Sequence, residues 1–232
     1  MTNQKLRHVS RTVAALQKSS GMAGSESVRY VALGDSITAG WLEHGILDSD
    51  AAYPALFRKR LAALYPHAMV SVLNAGLGGE NTIGASERLE RDVLRHDPHL
   101  VTVCLGLNDA RKGHEFVDVF AENLTEIVRR IRSDTDADLL LITPNIRGDH
   151  GSDDGAVTEF VRAIRQVARS ADVGIADVYA IYGGAVRMGA QPADLLSNRF
   201  SHPTREGHQI FANALIKFFQ PGTGNNSPVA VV

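Results

Sequence analysis

Several polar residues of this chain follow short apolar runs, where a parallel sheet would collect reactive side chains at one edge. Ser36 ends the sequence GDS, Asn108 lies in the sequence GLND, and His202 precedes a proline near the C-terminus. A serine hydroxyl becomes a nucleophile when a neutral imidazole takes its proton, and an asparagine amide can donate to the oxyanion that forms. These residue types in this chain order indicate acyl transfer, with the nucleophile first and the base last.

A glycine-rich segment, NAGLGGENT at 74–82, lies between the serine and the asparagine. Its glycines, the last of them Gly79, allow a sharp turn and can offer N–H groups to an anion. A dinucleotide loop is disfavoured, because its pattern needs a glycine where Asn81 stands and follows the first strand. The α/β-hydrolase nucleophile elbow is disfavoured too, because Thr38 stands where that motif needs its second glycine.

Each of these residues also has a purely structural alternative. Asp35 or Ser36 could cap the next helix, and the Asn108-Asp109 pair could form a turn, which is the role expected for Asp109. A histidine in a loop is often an ordinary surface residue. The combination of segments carries the functional interpretation, since no single one is specific.

The elements that must position these residues alternate along the chain. Near-continuous apolar runs predict five strands covered on both faces, and segments of helical period lie between them, as in βαβ units around a parallel sheet. The predicted strands span 28–34, 69–76, 100–106, 137–144 and 173–179. The predicted helices span about 54–64, 83–95, 115–132, 157–169 and 206–219.

Composition bounds the class of protein. Hydrophobic residues make up 44% and charged residues 22% of the 232, which is typical of a globular chain, and the net charge of −2 disfavours nucleic acid as a partner. The single cysteine, Cys104, excludes an internal disulfide and a multi-cysteine zinc site. No secretory signal or membrane span is evident, so a cytoplasmic location without integral membrane contact is expected.

The predicted organisation is one domain with two extensions. The domain spans 28–219, because no linker interrupts it. Residues 1–27 form either a weak amphipathic helix or nothing ordered, with a frayed end favoured. The tail, 220–232, is rich in turn residues and is predicted to be flexible.

Together the four segments resemble the SGNH hydrolases, the lipase and esterase family also called GDSL. The blocks are GDS with Ser36, the loop ending at Gly79, GLND with Asn108, and His202 with Pro203, in the order of that family. The resemblance covers about 28–219. It implies a three-layer αβα fold, flavodoxin-like, with a five-stranded parallel sheet. It also implies Ser36 as nucleophile, His202 as base, and Ser36, Gly79 and Asn108 as oxyanion donors.

One position departs from that family. The family usually has an aspartate three residues before the histidine, and this chain has Arg199 there. An acceptor on the far imidazole nitrogen is still expected, because it fixes the base. A main-chain carbonyl around 197–199 is the first choice, which would give a Ser-His dyad, and Asp194 is the second.

The expected activity is hydrolysis of carboxylic esters of short to medium acyl length through an acyl-enzyme on Ser36. No cofactor or metal is expected, and the partner is a small ester substrate. Deacetylation of a carbohydrate is the leading substrate class, and a lipase, lysophospholipase or thioesterase is the alternative. Trp41 could wall the acyl pocket or serve as a core aromatic. The non-enzyme alternative is an inactive SGNH domain that binds a glycan or a protein.

Overall fold

A single parallel sheet organises the part of the chain described by the structure, a computed structural model that covers residues 5–42, 45–148 and 154–220. The strand order is β2-β1-β3-β4-β5. The strands are β1 (Val28–Gly34), β2 (Val70–Gly76), β3 (Leu100–Cys104), β4 (Asp138–Ile142) and β5 (Gly174–Ala176). The predicted tail beyond Gln220 lies outside the described residues.

Helices cover both faces of the sheet and its ends. They are α1 (Ser10–Lys18), α2 (Ser36–Ala39), α3 (Tyr53–Leu64), α4 (Thr82–Glu87), α5 (Leu89–Asp92), α6 (Val117–Asp134), α7 (Asp154–Ser170), α8 (Val178–Arg187), α9 (Pro192–Leu195) and α10 (Arg205–Ile216). The architecture confirms the predicted three-layer αβα class. No helix among the described residues is long and apolar enough to cross a membrane.

The strand order places the site. β1 pairs with β2 on one side and β3 on the other, so Gly34 at its carboxyl end aligns with Gly76 and Cys104. The strand order therefore changes direction at β1: β2 is added on one side of it, and β3, β4 and β5 follow on the other side. In open parallel sheets, ligands bind outside the carboxyl ends of the strands at such a switch point. The loops after β1, β2 and β3 meet there.

The core lies between the sheet and the two helical layers. On one face Tyr30 of β1 packs edge-to-face on Phe57 of α3, and on the other Phe120 of α6 packs on Phe160 of α7. The central strands β1, β3 and β4 are buried almost throughout. β2 is different from the prediction of a strand covered on both faces, because it forms the sheet edge and leaves Leu73 37% exposed.

The N-terminal segment adopts the helical one of the two predicted alternatives. Val9 and Leu16 are buried, and Thr12 between them is buried as well. Thr12 donates from its backbone N–H and its hydroxyl to the Asp138 carboxylate, at 2.6 and 2.7 Å. The segment is therefore not the frayed end that the sequence analysis favours. Both the N–H and the hydroxyl of Thr12 are hydrogen-bonded to Asp138, which allows this polar residue to be buried.

The helix predicted over 83–95 is broken into shorter pieces. α4 ends at Glu87, because the backbone of the next residue, Arg88, leaves helical geometry (φ −98°, ψ 3°), and α5 ends at Asp92. At the first break the Arg88 side chain turns towards the end of β1 instead of continuing a solvent-facing helix. The break therefore belongs to the construction of the site.

Candidate active site

Ser36 is the first residue of the short helix α2, which begins two residues after the last residue of β1, Gly34. Asp35 caps this helix, its carboxylate accepting from the backbone N–H of Ile37 at 2.9 Å. A Cβ at Gly34 would lie 2.0 Å from the Thr38 hydroxyl oxygen, so only glycine lets the helix fold back so closely on the strand. The tight turn holds Ser36 half-exposed at the carboxyl ends of the strands.

His202 contacts the serine directly. Its Nε2 lies 3.0 Å from Ser36 Oγ, and its Nδ1 lies 3.3 Å from the main-chain oxygen of Leu42. A carbonyl oxygen can only accept, so the hydrogen of the neutral ring resides on Nδ1. Nε2 is thereby left with a lone pair directed at the serine hydroxyl, as a general base requires.

The loop that carries His202 is held by its own hydrogen bonds. The Asn198 side-chain oxygen accepts from three consecutive backbone N–H groups, at 2.8–3.0 Å, of which the last is that of His202. Ser197 donates its backbone N–H to the His202 carbonyl at 2.7 Å. The buried Asn145, in the loop after β4, donates to the Ser201 carbonyl at 2.8 Å. The backbone position of His202 is therefore fixed independently of Leu42.

The acceptor for the ring belongs to a different part of the chain, here called the Leu42 segment: residues 40–42 and 45–48. Leu42 donates its N–H to the Ile46 carbonyl at 2.8 Å, and Trp41 and Leu47 form an isolated antiparallel bridge. Trp41 also donates its backbone N–H to the Ser36 carbonyl at 2.9 Å. The Leu42 segment thus connects the nucleophile helix to the imidazole.

The loop after β2 supplies possible donors to an oxyanion. Gly79 has φ +77°, a left-handed conformation that favours glycine. Asn108 donates from Nδ2 to the Glu80 carbonyl at 2.9 Å, so its amide is oriented and one N–H remains. Within the described residues, the backbone N–H groups of Ser36 and Gly79 have no hydrogen-bond acceptor. These donors lie on the loops that follow β1, β2 and β3, which are neighbours in the sheet.

A buried ion pair stabilises the same loop. Arg88 Nε lies 2.6 Å from Glu80 Oε2, and both side chains are more than 90% buried. Arg88 also donates to the Gly34 carbonyl at 3.2 Å and to Asp92 at 3.0 Å. The other Glu80 oxygen accepts the Asn81 N–H at 3.1 Å. The guanidinium thereby connects the end of β1 to the loop that carries Gly79.

Two buried carboxyl groups, those of Asp35 and Asp109, lie next in sequence to Ser36 and Asn108. Burial raises the pKa of Asp35 to about 7, with a further contribution from the charge of Asp109. Burial also raises the pKa of Asp109. Asp109 accepts from the backbone N–H and the hydroxyl of Thr82, at 3.0 and 2.6 Å, and its other oxygen has no partner in the described residues. Asp109 therefore fixes the start of α4 and is more than the turn former that was expected.

The base is held in its neutral form. Partial burial lowers the pKa of His202, and the hydrogen bond to Leu42 partly opposes this effect. His208, fully buried next to it on α10, has its pKa lowered to about 4 by burial. At neutral pH both imidazoles are uncharged.

The structure brings Ser36 and His202 into contact and places Gly79 and Asn108 on the neighbouring loops. The group at His202 Nδ1 is neither of the two that were expected. It is a main-chain carbonyl, but that of Leu42, 160 residues earlier in sequence. Asp194 is exposed, and Arg199 is exposed with a left-handed backbone, φ +57°.

Sequence reasoning missed three further contributions: the Leu42 carbonyl, the Glu80–Arg88 pair and the buried Asp109. Trp41, which was considered as a pocket wall, is half-buried beside Gly78, where an added Cβ would lie 3.3 Å from its Nε1. Across residues 5–42, 45–148 and 154–220, no three His, Cys, Asp or Glu side chains are grouped to hold a metal ion.

Two esterases are similar to this chain in sequence. An acetylxylan esterase from Geobacillus stearothermophilus is 25% identical over 168 residues, which are 68% of this chain and 75% of that protein. An arylesterase from Vibrio mimicus is 28% identical over 130 residues, 56% of this chain and 60% of that protein.

The fold is shared with solved structures. A crystal structure of an acetylxylan esterase from Geobacillus stearothermophilus superposes with a TM-score of 0.71 at 24% identity, covering 82% of this chain and 93% of that one. Structures of catalytic mutants of that esterase carry substitutions of a serine, a histidine and an aspartate, the aspartate three positions before the histidine. The corresponding spacing from His202 leads here to Arg199.

A family model gives the assignment. The model of the GDSL-like lipase/acylhydrolase family matches residues 32–210, which include Ser36, Gly79, Asn108 and His202. This range is well over half of the chain. The protein therefore belongs to the GDSL-like lipase/acylhydrolase family and is a hydrolase of ester bonds.

Proposed function

We propose that this protein is a serine carboxylesterase that removes short acyl groups, acetyl above all, through an acyl-enzyme on Ser36. The observation that carries the proposal is the 3.0 Å contact between Ser36 Oγ and His202 Nε2 at the carboxyl edge of the sheet. That distance lies within the range for direct proton transfer between a hydroxyl and a base.

In the acylation step, His202 Nε2 takes the hydroxyl proton as Ser36 Oγ attacks the ester carbonyl carbon. The imidazolium that forms donates from Nδ1 to the Leu42 carbonyl, which stabilises its charge. When the tetrahedral intermediate collapses, Nε2 returns the proton to the departing alcohol oxygen. The acyl group remains on Ser36.

The negative charge on the former carbonyl oxygen is stabilised by three donors. These are the N–H groups of Ser36 and Gly79, and the Asn108 amide hydrogen that the Glu80 carbonyl does not engage. In the second half of the reaction a water takes the place of the alcohol. His202 Nε2 removes its proton as the water attacks the acyl carbon. The bond between that carbon and Ser36 Oγ then breaks, Nε2 returns the proton to Oγ, and the carboxylic acid leaves.

The leading substrate class is an acetylated carbohydrate. The relative from Geobacillus stearothermophilus is an acetylxylan esterase, and it matches 75% of its length to this chain. The half-buried Trp41 indole beside Gly78 supports a restricted acyl site, because it occupies space next to the residue that precedes Gly79.

A second substrate class is favoured by the apolar rim of the site. The side chains of Leu47 and Leu77 are 55% and 53% exposed. Leu47 forms a bridge with Trp41, and Leu77 precedes Gly78, which lies beside the Trp41 indole. Exposed leucines at a rim suit an aryl or longer alkyl ester better than a sugar. The arylesterase relative agrees with this alternative.

The test is hydrolysis of p-nitrophenyl esters from acetyl to decanoyl, and release of acetate from acetylated xylo-oligosaccharides. The wild-type protein is compared with Ser36→Ala, with folding of both checked by circular dichroism. We expect activity to disappear in folded Ser36→Ala and to be highest with acetyl esters. A maximum at eight carbons or beyond would favour the lipase-like alternative. Equal rates in both proteins would favour an inactive domain that binds a glycan or protein.

The cytoplasmic location expected from the N-terminal sequence stays a prediction. The partner proposed here is the small ester substrate alone.

A further inference from the structure

We propose that Asp48 and Arg205 form an ion pair that positions the Leu42 carbonyl on His202, and that both are positioning residues of the esterase. The inference rests on the proposed function, because it concerns the orientation of the proposed base. Arg205 Nη1 donates to Asp48 Oδ2, joining the Leu42 segment to the first residue of α10. His202 lies three residues before Arg205.

The ion pair closes a ring of contacts around the imidazole. From Arg205 the path leads through the Asp48 carboxylate to the Asp48 backbone N–H, which donates to the Gly40 carbonyl at 2.9 Å. Two residues further is Leu42, whose carbonyl accepts from His202 Nδ1. A cavity of about 380 Å³ lined by Leu42, Leu196 and Arg205 lies beside this path. Packing therefore does not fill the space between the two segments.

The His202 backbone and the Leu42 segment, which meet at the imidazole, are held by different contacts. The His202 backbone is fixed by the Asn198 side chain and by its bond to Ser197. The Leu42 segment is joined to α10 across the cavity by the Asp48–Arg205 pair. In this arrangement, loss of the ion pair loosens the acceptor and leaves the histidine backbone in place.

The expected effect is on turnover and not on substrate binding. Neither Asp48 nor Arg205 is a proposed donor to the substrate, so KM should stay unchanged. The pair is partly exposed, with 29% of the Asp48 and 56% of the Arg205 side chain accessible, so a modest coupling is expected. We expect kcat to fall about two- to fivefold in Asp48→Asn or Arg205→Gln. The loss should shrink at 1 M salt, where the wild-type pair is screened.

The pH profile separates positioning from a direct effect of charge. Among the residues that the structure describes, the charged and titratable groups around the ring include Asp48, Arg205, Glu206 and Arg199, together with the buried His208. Removing a negative charge at Asp48 would by field alone lower the pKa of His202, and removing a positive charge at Arg205 would raise it. Loss of the Leu42 hydrogen bond lowers that pKa in both variants, because the bond favours the imidazolium.

The experiment measures kcat, KM and the acid limb of kcat/KM with p-nitrophenyl acetate. The variants are Asp48→Asn, Arg205→Gln, their double variant and the charge-conserving Arg205→Lys. Asparagine keeps the side-chain oxygen that accepts the Ala51 N–H at 3.0 Å, so Asp48→Asn retains this local turn. Asp136→Asn, which breaks the exposed pair with Arg11 near the start of β4, is the matched control.

We expect the two single variants to lose kcat with unchanged KM, and the double variant to lose no more than either. Arg205→Lys and the control should retain wild-type turnover, and the acid limb should move to lower pH in both single variants. Full turnover in both single variants, multiplied losses in the double variant, or opposite shifts of the acid limb would overturn the positioning role of the ion pair and leave the esterase assignment standing. Equal rates in the wild type and Ser36→Ala would overturn both.

Discussion

The two sides of the active site are stabilised by opposite means. On the oxyanion side, the loop with Gly79 is held by the buried Glu80–Arg88 pair, and the guanidinium reaches the end of β1. On the base side, His202 is held by loop hydrogen bonds, and its acceptor Leu42 belongs to a segment joined to α10 through the partly exposed Asp48–Arg205 pair.

This difference follows the demands of the chemistry. Oxyanion donors must be preorganised, because they stabilise charge only when they need not move as it develops. The buried pair meets this demand, at the risk that loss of one partner leaves an unpaired charge in the core. The base accepts and returns protons during one turnover, so we expect its hydrogen-bond acceptor to tolerate a less rigid attachment. We therefore expect mutations on the oxyanion side to affect folding and rate strongly, and mutations on the base side to tune the rate.

Arg88→Met should give the largest change and tests whether the oxyanion side is the rigid one. Removing the guanidinium leaves Glu80 buried without its counter-charge, and we expect a loss of about 3 to 5 kcal/mol in the free energy of unfolding. Urea denaturation measures it. The matched control is Arg91→Met, because Arg91 is exposed and pairs only with neighbouring Asp92 among its described contacts. Equal free energies of unfolding in Arg88→Met and Arg91→Met would contradict the view that the oxyanion side is the rigid one.

Asn108→Ala tests the catalytic half of the comparison. Loss of one oxyanion donor is expected to lower kcat by ~10² to 10³, or about 3 to 4 kcal/mol in the activation barrier. That loss is far larger than the two- to fivefold effect expected at Asp48. Asn123→Ala is the control, since Asn123 lies on α6 and donates to Thr82 at 3.4 Å. Undiminished turnover in Asn108→Ala would exclude that side chain from the mechanism.

Asp35→Asn should separate the pH dependence of stability from that of activity. The pKa of Asp35 is about 7 when folded, against 3.8 for an unperturbed carboxyl, so the folded state keeps a proton that the unfolded chain releases. The contribution of this group to stability is therefore full below pH ~4 and decreases as pH rises to ~7, by about 1.4 kcal/mol per pH unit at most.

Asparagine retains the acceptor for the Ile37 N–H, so the variant should lose this slope while keeping the helix cap. Unfolding free energies of both proteins at pH 5 and pH 7 measure the difference. Parallel changes in the two proteins would contradict the prediction. Asp35 would then not control how stability varies with pH.

Much of the fold could be predicted from the chain. The run 28–34 is apolar except for Arg29 and matches β1 residue for residue, because a strand covered on both faces tolerates few polar side chains. The helix predicted over 115–132 is observed as Val117–Asp134, since its apolar residues repeat at helical spacing. Ser36, Gly79 and Asn108 could be located because each follows one of these strands.

The rest depends on contacts that leave little trace in sequence. Glu80 lies in the glycine-rich loop and Arg88 in a predicted helix, and nothing in their types or spacing indicates that the fold buries them together. Thr12 breaks an apolar stripe, and only the position of Asp138 makes it suitable for burial. The acceptor of His202 is a main-chain atom, and a carbonyl oxygen is present at every residue, so its position cannot be inferred from residue type.

This last feature also determines how the site would respond to genetic analysis. A substitution of the Leu42 side chain leaves the carbonyl in place, so a scan of single substitutions would find the side chains of Ser36 and His202 and miss the third group. A search pattern that demands an aspartate three residues before the histidine would reject this chain because of Arg199. Because a carbonyl does not ionise, the third group also adds no titration of its own to the pH dependence of activity.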